Sequence, residues 1–316
     1  MTTEFGLIGR LADWCRTLPA NGFEGIGDDC AVLPVGGDEA LVFTADLLIE
    51  DVHFLRRAAS PEELARKSLH VNLSDVAAMG AHPVATLLSL ALPADTVRSD
   101  WAERFARGYA EASAEAGVNL IGGDTTASPS GVSINVTAIG RAPFACLKRR
   151  DAARPGDVVL AAGELGASAA GLRDLLAGRY DTPLACLHKR PEAQVAEGEW
   201  LGRRGEVHAM MDLSDGLASD LVHILERSGV GAEIDVERVP VAAGADLEAA
   251  LCGGEDYKLL LTACGEGAET LRRDFEAHFR RPLYPVGRIV ASADPLVRWL
   301  RGGCPFAADW HGFRHY

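Results

Sequence analysis

Seven aspartates stand in short apolar or glycine-bounded contexts spread over most of the chain: Asp28, Asp29, Asp46, Asp75, Asp124, Asp212 and Asp215. Those contexts are Gly25-Ile26-Gly27-Asp28-Asp29, Thr44-Ala45-Asp46, Asn72-Leu73-Ser74-Asp75, Gly122-Gly123-Asp124 and Asp212-Leu213-Ser214-Asp215-Gly216. Each reads as the beginning or end of a strand or helix. Carboxylates are costly to remove from water unless they are paired or bound to a cation. A fold that gathers these segments needs a compensating charge, and several hard divalent metal ions are the natural choice. The pattern points to a metal-dependent enzyme that handles phosphate.

The charge balance fits that expectation. A formal net charge of −14 disfavours nucleic acid or an anionic membrane as the main partner, since both reward basic patches. Lysine is scarce, with only Lys67, Lys148, Lys189 and Lys258, so metals and a few arginines would have to offset polyphosphate repulsion. The seven cysteines are widely spread without a Cys-x-x-Cys pair, which predicts reduced thiols in a cytoplasmic protein. No apolar run approaches the ~20 residues of a membrane span, and the first residues lack the basic and apolar regions of a secretory signal. A length of 316 residues suggests two domains.

Strand and helix signals alternate along the chain. Ala40-Leu41-Val42-Phe43 predicts a short strand that delivers Asp46 at its end. Ser60-Pro61-Glu62-Glu63 supplies an N-cap, a proline at the first helical position and acids in the first turn. On the helix that follows, Leu64, Leu69, Leu73 and Val76 form an apolar side, while Ser68, Asn72 and Asp75 share another. Further strands are expected over 86–92, 132–139, 158–162, 207–211 and 257–262, and helices over 99–116, 168–176 and, after Asp212, to about Ser228. The polar run from Lys148 to Asp157 marks a composition break. It places the domain boundary near residue 145, giving units 1–145 and 146–316. Both element types interleave, so a mixed α/β architecture with two sheets is expected. Asn72-Leu73-Ser74-Asp75 also echoes Asp212-Leu213-Ser214-Asp215, although four residues are too few to separate kinship from chance.

Most of these motifs admit a plainer account when taken singly. Asp28-Asp29 after Gly-x-Gly can be a surface turn, and Gly122-Gly123-Asp124 can close a hairpin or cap a strand. Ser214 and Asp215 can cap a helix unaided, yet that leaves Asp212 without a role. The alternative places both carboxylates of Asp212 and Asp215 at a positive helix N-terminus, which also suits phosphate, with Ser214 as a further donor. His53 can pack on Phe54, and Glu255 and Asp256 can be turn acids. Neither a P-loop nor a protein-kinase motif set is present, so a nucleotide site must use carboxylate-bound Mg²⁺ instead of a lysine cradle.

Taken in order, the motifs resemble the thiamine-monophosphate kinase family, within the aminoimidazole-ribonucleotide-synthetase-like enzymes. The resemblance runs from Phe5-Gly6-Leu7-Ile8 to Trp310-His311-Gly312-Phe313. Its strongest blocks are Gly25 to Ala31, Val71 to Asp75, Ile121 to Thr126, Asp212 to Gly216 and Gly253 to Tyr257, with Val52-His53-Phe54 on the kinase side. It implies a two-domain α/β (mixed α+β) architecture, each domain a mixed sheet with packed helices. It also implies a homodimer packed through the N-terminal domains. The implied reaction is ATP- and Mg²⁺-dependent phosphorylation of thiamine monophosphate.

By the same resemblance, Asp28, Asp29, Thr44, Asp46, Asp75, Asp212 and Asp215 would hold metal. Gly123, Asp124, Arg150 and Ser214 would contact ATP, while His53, Glu255 and the tail aromatic Phe313, ahead of Trp310, would contact the thiamine moiety. A substrate phosphate is already anionic near neutral pH, so direct in-line transfer needs no protein base. The chain departs from the family habit at Ala45 for a threonine, Asp51 for a glycine and Lys258 for an acid. The alternatives are a purine-synthesis ligase of the same superfamily and a non-catalytic nucleotide- and metal-binding protein.

Overall fold

A computed structural model of the chain describes residues 4–312. Its first part runs α1 (Glu4–Cys15), β1 (Ala31–Gly36), β2 (Glu39–Ile49), α2 (Pro61–Ala78), β3 (His82–Leu92), α3 (Ala94–Arg98), α4 (Trp101–Ala116), β4 (Asn119–Ala127) and β5 (Ser133–Pro143). These strands form one five-stranded sheet in the order β1-β2-β5-β3-β4, antiparallel except for the parallel pair β3–β4.

The second part runs β6 (Val158–Ala161), α5 (Ala167–Leu176), α6 (Pro183–Lys189), α7 (Val195–Gly202), β7 (Val207–Asp212), α8 (Leu217–Ser228), β8 (Gly231–Asp235), α9 (Leu247–Cys252), β9 (Leu259–Ala263), α10 (Gly265–Phe279), β10 (Tyr284–Val290), β11 (Val297–Arg301) and β12 (Cys304–Pro305). Its sheet has seven strands in the order β12-β11-β8-β10-β6-β9-β7, with β8 and β11 parallel. The expected mixed α/β class with two sheets is what the chain adopts.

Helix α2 organises the site. Ser60 accepts from the Glu63 backbone N–H, and the Glu63 side chain accepts from Ser60 N, so the predicted start is a complete capping box. A cap of this kind is worth about 1 kcal/mol. Fifteen of the eighteen helix residues are buried, so the helix is enclosed and not merely two-sided. One side packs on the first sheet through Leu64, Leu69, Leu73 and Val76. Its far end, Ala77 and Ala78, joins the core of the second part, where Gly198 of α7 meets the Ala77 carbonyl with no room for a side chain. On the expected polar side, Asn72 and Asp75 bond to β2 of the first part, and Asp75 lines a cavity as expected.

Two element ends differ from expectation. Strand β2 continues to Ile49 because β5 pairs with it over the full span from Glu39 to Ile49, so Asp46 is inside the strand. Strand β1 covers the other edge of β2 only as far as Phe43. Beyond that point the Asp46 N–H is taken by the Asn72 side chain at 2.9 Å. Gly122-Gly123-Asp124 likewise lies within β4, neither a hairpin nor a cap, because Leu87, Leu88 and Ser89 of β3 pair alongside it.

Candidate active site

The two echoed segments meet at the centre of the molecule. Ser74 Oγ donates to Asp212 Oδ2 at 2.6 Å, joining α2 to the end of β7. Thr44 Oγ1 donates to Asp75 Oδ2, joining β2 to the same helix. The Gly27 turn brings in Asp28 and Asp29 from the other side. Arg150 donates through its guanidinium to Asp29 and through its backbone N–H to Asp28 Oδ2 at 3.3 Å. Ser228 of α8 donates to the Arg150 carbonyl at 2.7 Å and so fixes the arginine loop.

One carboxylate oxygen each from Asp29, Asp75 and Asp212 lies within 4.8 Å of the others. Such crowding is unfavourable for three bare anions. Burial, then the charge on Asp29, pushes the Asp212 carboxyl up to about 7. Burial and neighbouring Asp29 push Asp28 up to about 6, and burial with Asp215 does the same for Asp46. Asp75 is raised by burial, then by Asp46 and Asp212. Arg150 is the cation that faces this group, and one guanidinium is too little for so many acids. An all-oxygen donor set with excess negative charge fits a hard divalent cation such as Mg²⁺.

Asp215 enters the same field, as its effect on Asp46 shows. Its backbone differs from the expected cap. Helix α8 begins at Leu217 with Gly216 as N-cap and no side-chain cap from Ser214 or Asp215. Instead the buried Asp220 carboxylate turns back from the first turn and accepts from the N–H groups of Asp215 and Gly216, both at 3.0 Å. Ser214 and Asp215 are thereby released from capping and presented to a cavity.

That cavity, of about 650 Å³, lies between the two parts of the molecule. Asp46, Asp75, Ser214 and Asp215 line it together with His53 and Glu255. His53 Nδ1 accepts the Ile49 N–H at 3.0 Å, which assigns the ring proton to Nε2 when the imidazole is neutral. Glu255 has a left-handed φ of 64°, and its N–H donates to the Ser214 carbonyl at 2.8 Å. Burial alone would raise its carboxyl, but the Lys67 ammonium and then His188 bring it below its ordinary value. A larger cavity of about 900 Å³ in the second part shares only Ser168 and Glu255 with this one and contains none of the seven aspartates.

The other expected residues are placed differently. Register aligns Asp124 with Ser89, Asn135 and Leu47 across the sheet, on the face opposite Asp46. Gly123 and Asp124 are exposed on the edge strand and stand apart from the acidic group within one chain. Phe313 lies outside the described residues. Trp310 packs edge-on against Trp299 and Phe306 and does not line the cavity, whereas Gly312 reaches it beside Asp215. Asp51, where the resemblance implies glycine, has a φ of 64°, a conformation aspartate tolerates better than most residues. Sequence reasoning missed Lys67, His188 and Ser168. Lys67 looks like an ordinary helix position, and the other two lie in segments without a local motif.

Comparison with known proteins agrees with this geometry. Residues 27–142 match the family model described as AIR synthase related protein, N-terminal domain, and residues 154–299 match AIR synthase related protein, C-terminal domain. The chain is 37% identical to thiamine-monophosphate kinase of Salmonella typhimurium, covering 99% of this chain and 98% of that protein. It is 36% identical to the Bacillus subtilis thiamine-monophosphate kinase, covering 99% of each. The structure superposes on AaThiL complexed with AMPPCP and TMP with a TM-score of 0.84 and 32% identity, covering 100% of this chain and 97% of that one. The chain belongs to the thiamine-monophosphate kinase family, built on the two AIR-synthase-related domains.

Proposed function

We infer that the protein transfers the γ-phosphoryl group of ATP to thiamine monophosphate, giving thiamine diphosphate and ADP. The observation that carries this reading is one cavity lined both by Asp46, Asp75, Ser214 and Asp215 and by His53 with Glu255. The complex of AaThiL with AMPPCP and TMP supports the same pair of substrates.

In the proposed mechanism a terminal oxygen of the substrate phosphate attacks the γ-phosphorus in line. The new P–O bond forms as the bond to the β-bridging oxygen breaks, and ADP leaves with that electron pair. The nucleophile is already anionic, so no histidine base and no phospho-enzyme are involved. Asp28, Asp29, Thr44, Asp46, Asp75, Asp212 and Asp215 are the residues we assign to Mg²⁺. When bound, that metal would neutralise charge on the phosphoryl oxygens. Arg150, locked by Asp29 and Ser228, and Ser214 at the cavity wall are assigned to ATP. His53, Glu255 and the tail aromatic Phe313 are assigned to the thiamine moiety, where a carboxylate complements the cationic thiazolium.

We also propose a homodimer formed through the open face of the first sheet. Helices α2 and α4 cover one face, while Leu47 and Ile49 on the other remain 49% and 37% exposed. Strand β4 also carries exposed Leu120 and Ile121, and α1 exposed Leu11 and Trp14. Large apolar side chains left exposed in this way support an interface. Gly123 and Asp124 lie on this open side, so we assign them to the nucleotide only in the dimer. The division between domains is placed near residue 145, supported by one sheet ending at Pro143 and the next beginning at Val158. The cytoplasm is the proposed compartment, in keeping with seven free cysteines. Among the described residues no helix is long and apolar enough to cross a membrane.

The test is to incubate the protein with ATP, Mg²⁺ and thiamine monophosphate and to quantify the products. Thiamine diphosphate and ADP in equal amounts are expected. ATP binding without product would favour a non-catalytic binder. ADP and orthophosphate formed only with a purine precursor would favour a ligase.

A further inference from the structure

We propose that Lys67 is a positioning residue for the thiamine end of the substrate, acting through Glu255 and the His53 backbone. The proposal rests on the functional reading above and deepens it. Lys67 is 1% exposed, and its ammonium donates to Glu255 Oε2 at 2.9 Å and to the His53 carbonyl at 3.2 Å. One buried cation thus holds both residues assigned to the thiamine moiety, although they come from opposite parts of the molecule.

The spacing on α2 gives this contact a function. Lys67, Val71 and Asp75 follow at intervals of four and so share one helix face, and Val71 and Asp75 line the cavity. At 1.5 Å per residue, the eight residues from Lys67 to Asp75 span about 12 Å. The helix therefore acts as a ruler. Asp75 marks the phosphate end, and Lys67 sets where Glu255 stands at the other.

The contact also selects which oxygen meets the ligand. Lys67 and His188, the latter at 3.4 Å, both approach Oε2 of Glu255. Among the described residues Oε1 has no hydrogen-bond donor, and it is the oxygen left for a cationic ring. Glu255 is held at its left-handed φ by one backbone bond to Ser214 as well as by Lys67. Without the ammonium, the carboxylate would be free to turn Oε2 into the cavity.

The experiment measures kcat, the KM for thiamine monophosphate and the KM for ATP in wild type, Lys67→Met, Lys67→Arg, Glu255→Gln and the double variant Lys67→Met/Glu255→Gln. Lys67→Met is expected to raise the KM for thiamine monophosphate about tenfold or more while moving the KM for ATP less than about twofold. Lys67→Arg, which keeps the charge, is expected to recover most of that loss. In the Glu255→Gln background, adding Lys67→Met should raise the KM for thiamine monophosphate by a clearly smaller factor than in the wild-type background, because the partner charge is already gone and only the His53 carbonyl contact is lost.

Equal rises in both KM values, or the same factor with and without Glu255, would overturn the assignment. Should Lys67→Met fail to fold, the comparison of the double variant with Glu255→Gln alone still decides. A further large rise there refutes the coupling, and a small rise or none supports it. A wild-type protein that forms no thiamine diphosphate would sink the functional reading itself. An active wild type with an unchanged KM in Lys67→Met would sink only the role of Lys67.

Discussion

Asp212 shows how far a single side chain can be biased against folding for the sake of a site. It is 2% exposed, close to Asp29 and Asp75, and stabilised locally by the Ser74 hydroxyl and the charge on Arg150. Replacing it with asparagine keeps the shape and removes one of three crowded charges. Asp212→Asn is therefore expected to melt at a temperature equal to or higher than wild type in a chelator. In Mg²⁺ the order should reverse, because the variant loses a metal ligand, and turnover should fall about 10²-fold or more. Thermal melts with and without metal, alongside the kinase assay, check both halves. A variant that melts lower in chelator yet keeps wild-type turnover would remove Asp212 from the site. Asp212, Asp75, Asp46 and Asp28-Asp29 could be picked out in the sequence because acids in apolar or Gly-rich settings need a reason to be there. Lys67 and His188 could not, since their role arises from contacts across 188 and 67 residues, respectively, to Glu255.

Among the elements, α2 and β4 mark the two extremes of legibility. Helix α2 announces itself through Ser60, Pro61 and Glu63, and its structure begins at Pro61 as those residues require. Strand β4 carries Gly122-Gly123-Asp124, residues that locally favour turns, and only its pairing with β3 makes it a strand. That pairing is close enough to exclude side chains. A Cβ at Gly123 would lie 1.8 Å from the Leu88 carbonyl oxygen, and its φ of 146° disfavours any other residue. Backbone cannot swing aside as a side chain can. Gly123→Ala is thus expected to cost about 3 kcal/mol or more, read as a lower urea midpoint. Gly9→Ala on α1 meets nothing within 4 Å. It should instead gain about 0.5–1 kcal/mol from helix propensity. Equal midpoints for the two variants would mean that β4 is not packed on β3 as described. The start of α8 teaches a similar lesson, since Ser214 and Asp215 look like caps, but Asp220 performs that task from within the helix.

For the whole molecule the gathered acids set the pH dependence of stability. An unfolded aspartate titrates near 3.8, whereas the folded chain holds Asp28 and Asp46 up to about 6 and Asp212 up to about 7. Between those values the folded state binds more protons than the unfolded state. The stabilisation from these groups is therefore full below 3.8 and is lost as pH rises through 6 to 7. Opposing this, burial holds His70, His188 and His223 down to about 4, so their contribution is lost as pH falls from 6.5 towards 4, and Glu62 is held down to about 2 by its Arg104 hydrogen bond. The aspartate part is therefore read as the difference between wild type and Asp212→Asn, in which the histidine contributions cancel. A shift of about two units corresponds to about 3 kcal/mol, and the groups share one field, so their effects do not add. On that scale the melting temperature of wild type relative to Asp212→Asn in chelator should drop by roughly 5 °C between pH 5 and pH 8. Millimolar Mg²⁺ competes with protons for the same oxygens and binds better as they ionise. With metal present the fall should flatten or reverse over that interval. Melting curves of both proteins at both pH values, in chelator and in Mg²⁺, give the four differences required. A wild-type-minus-variant difference in chelator that is the same at pH 8 as at pH 5 would show that the aspartates are not crowded in solution, and the metal assignment would fall with that result.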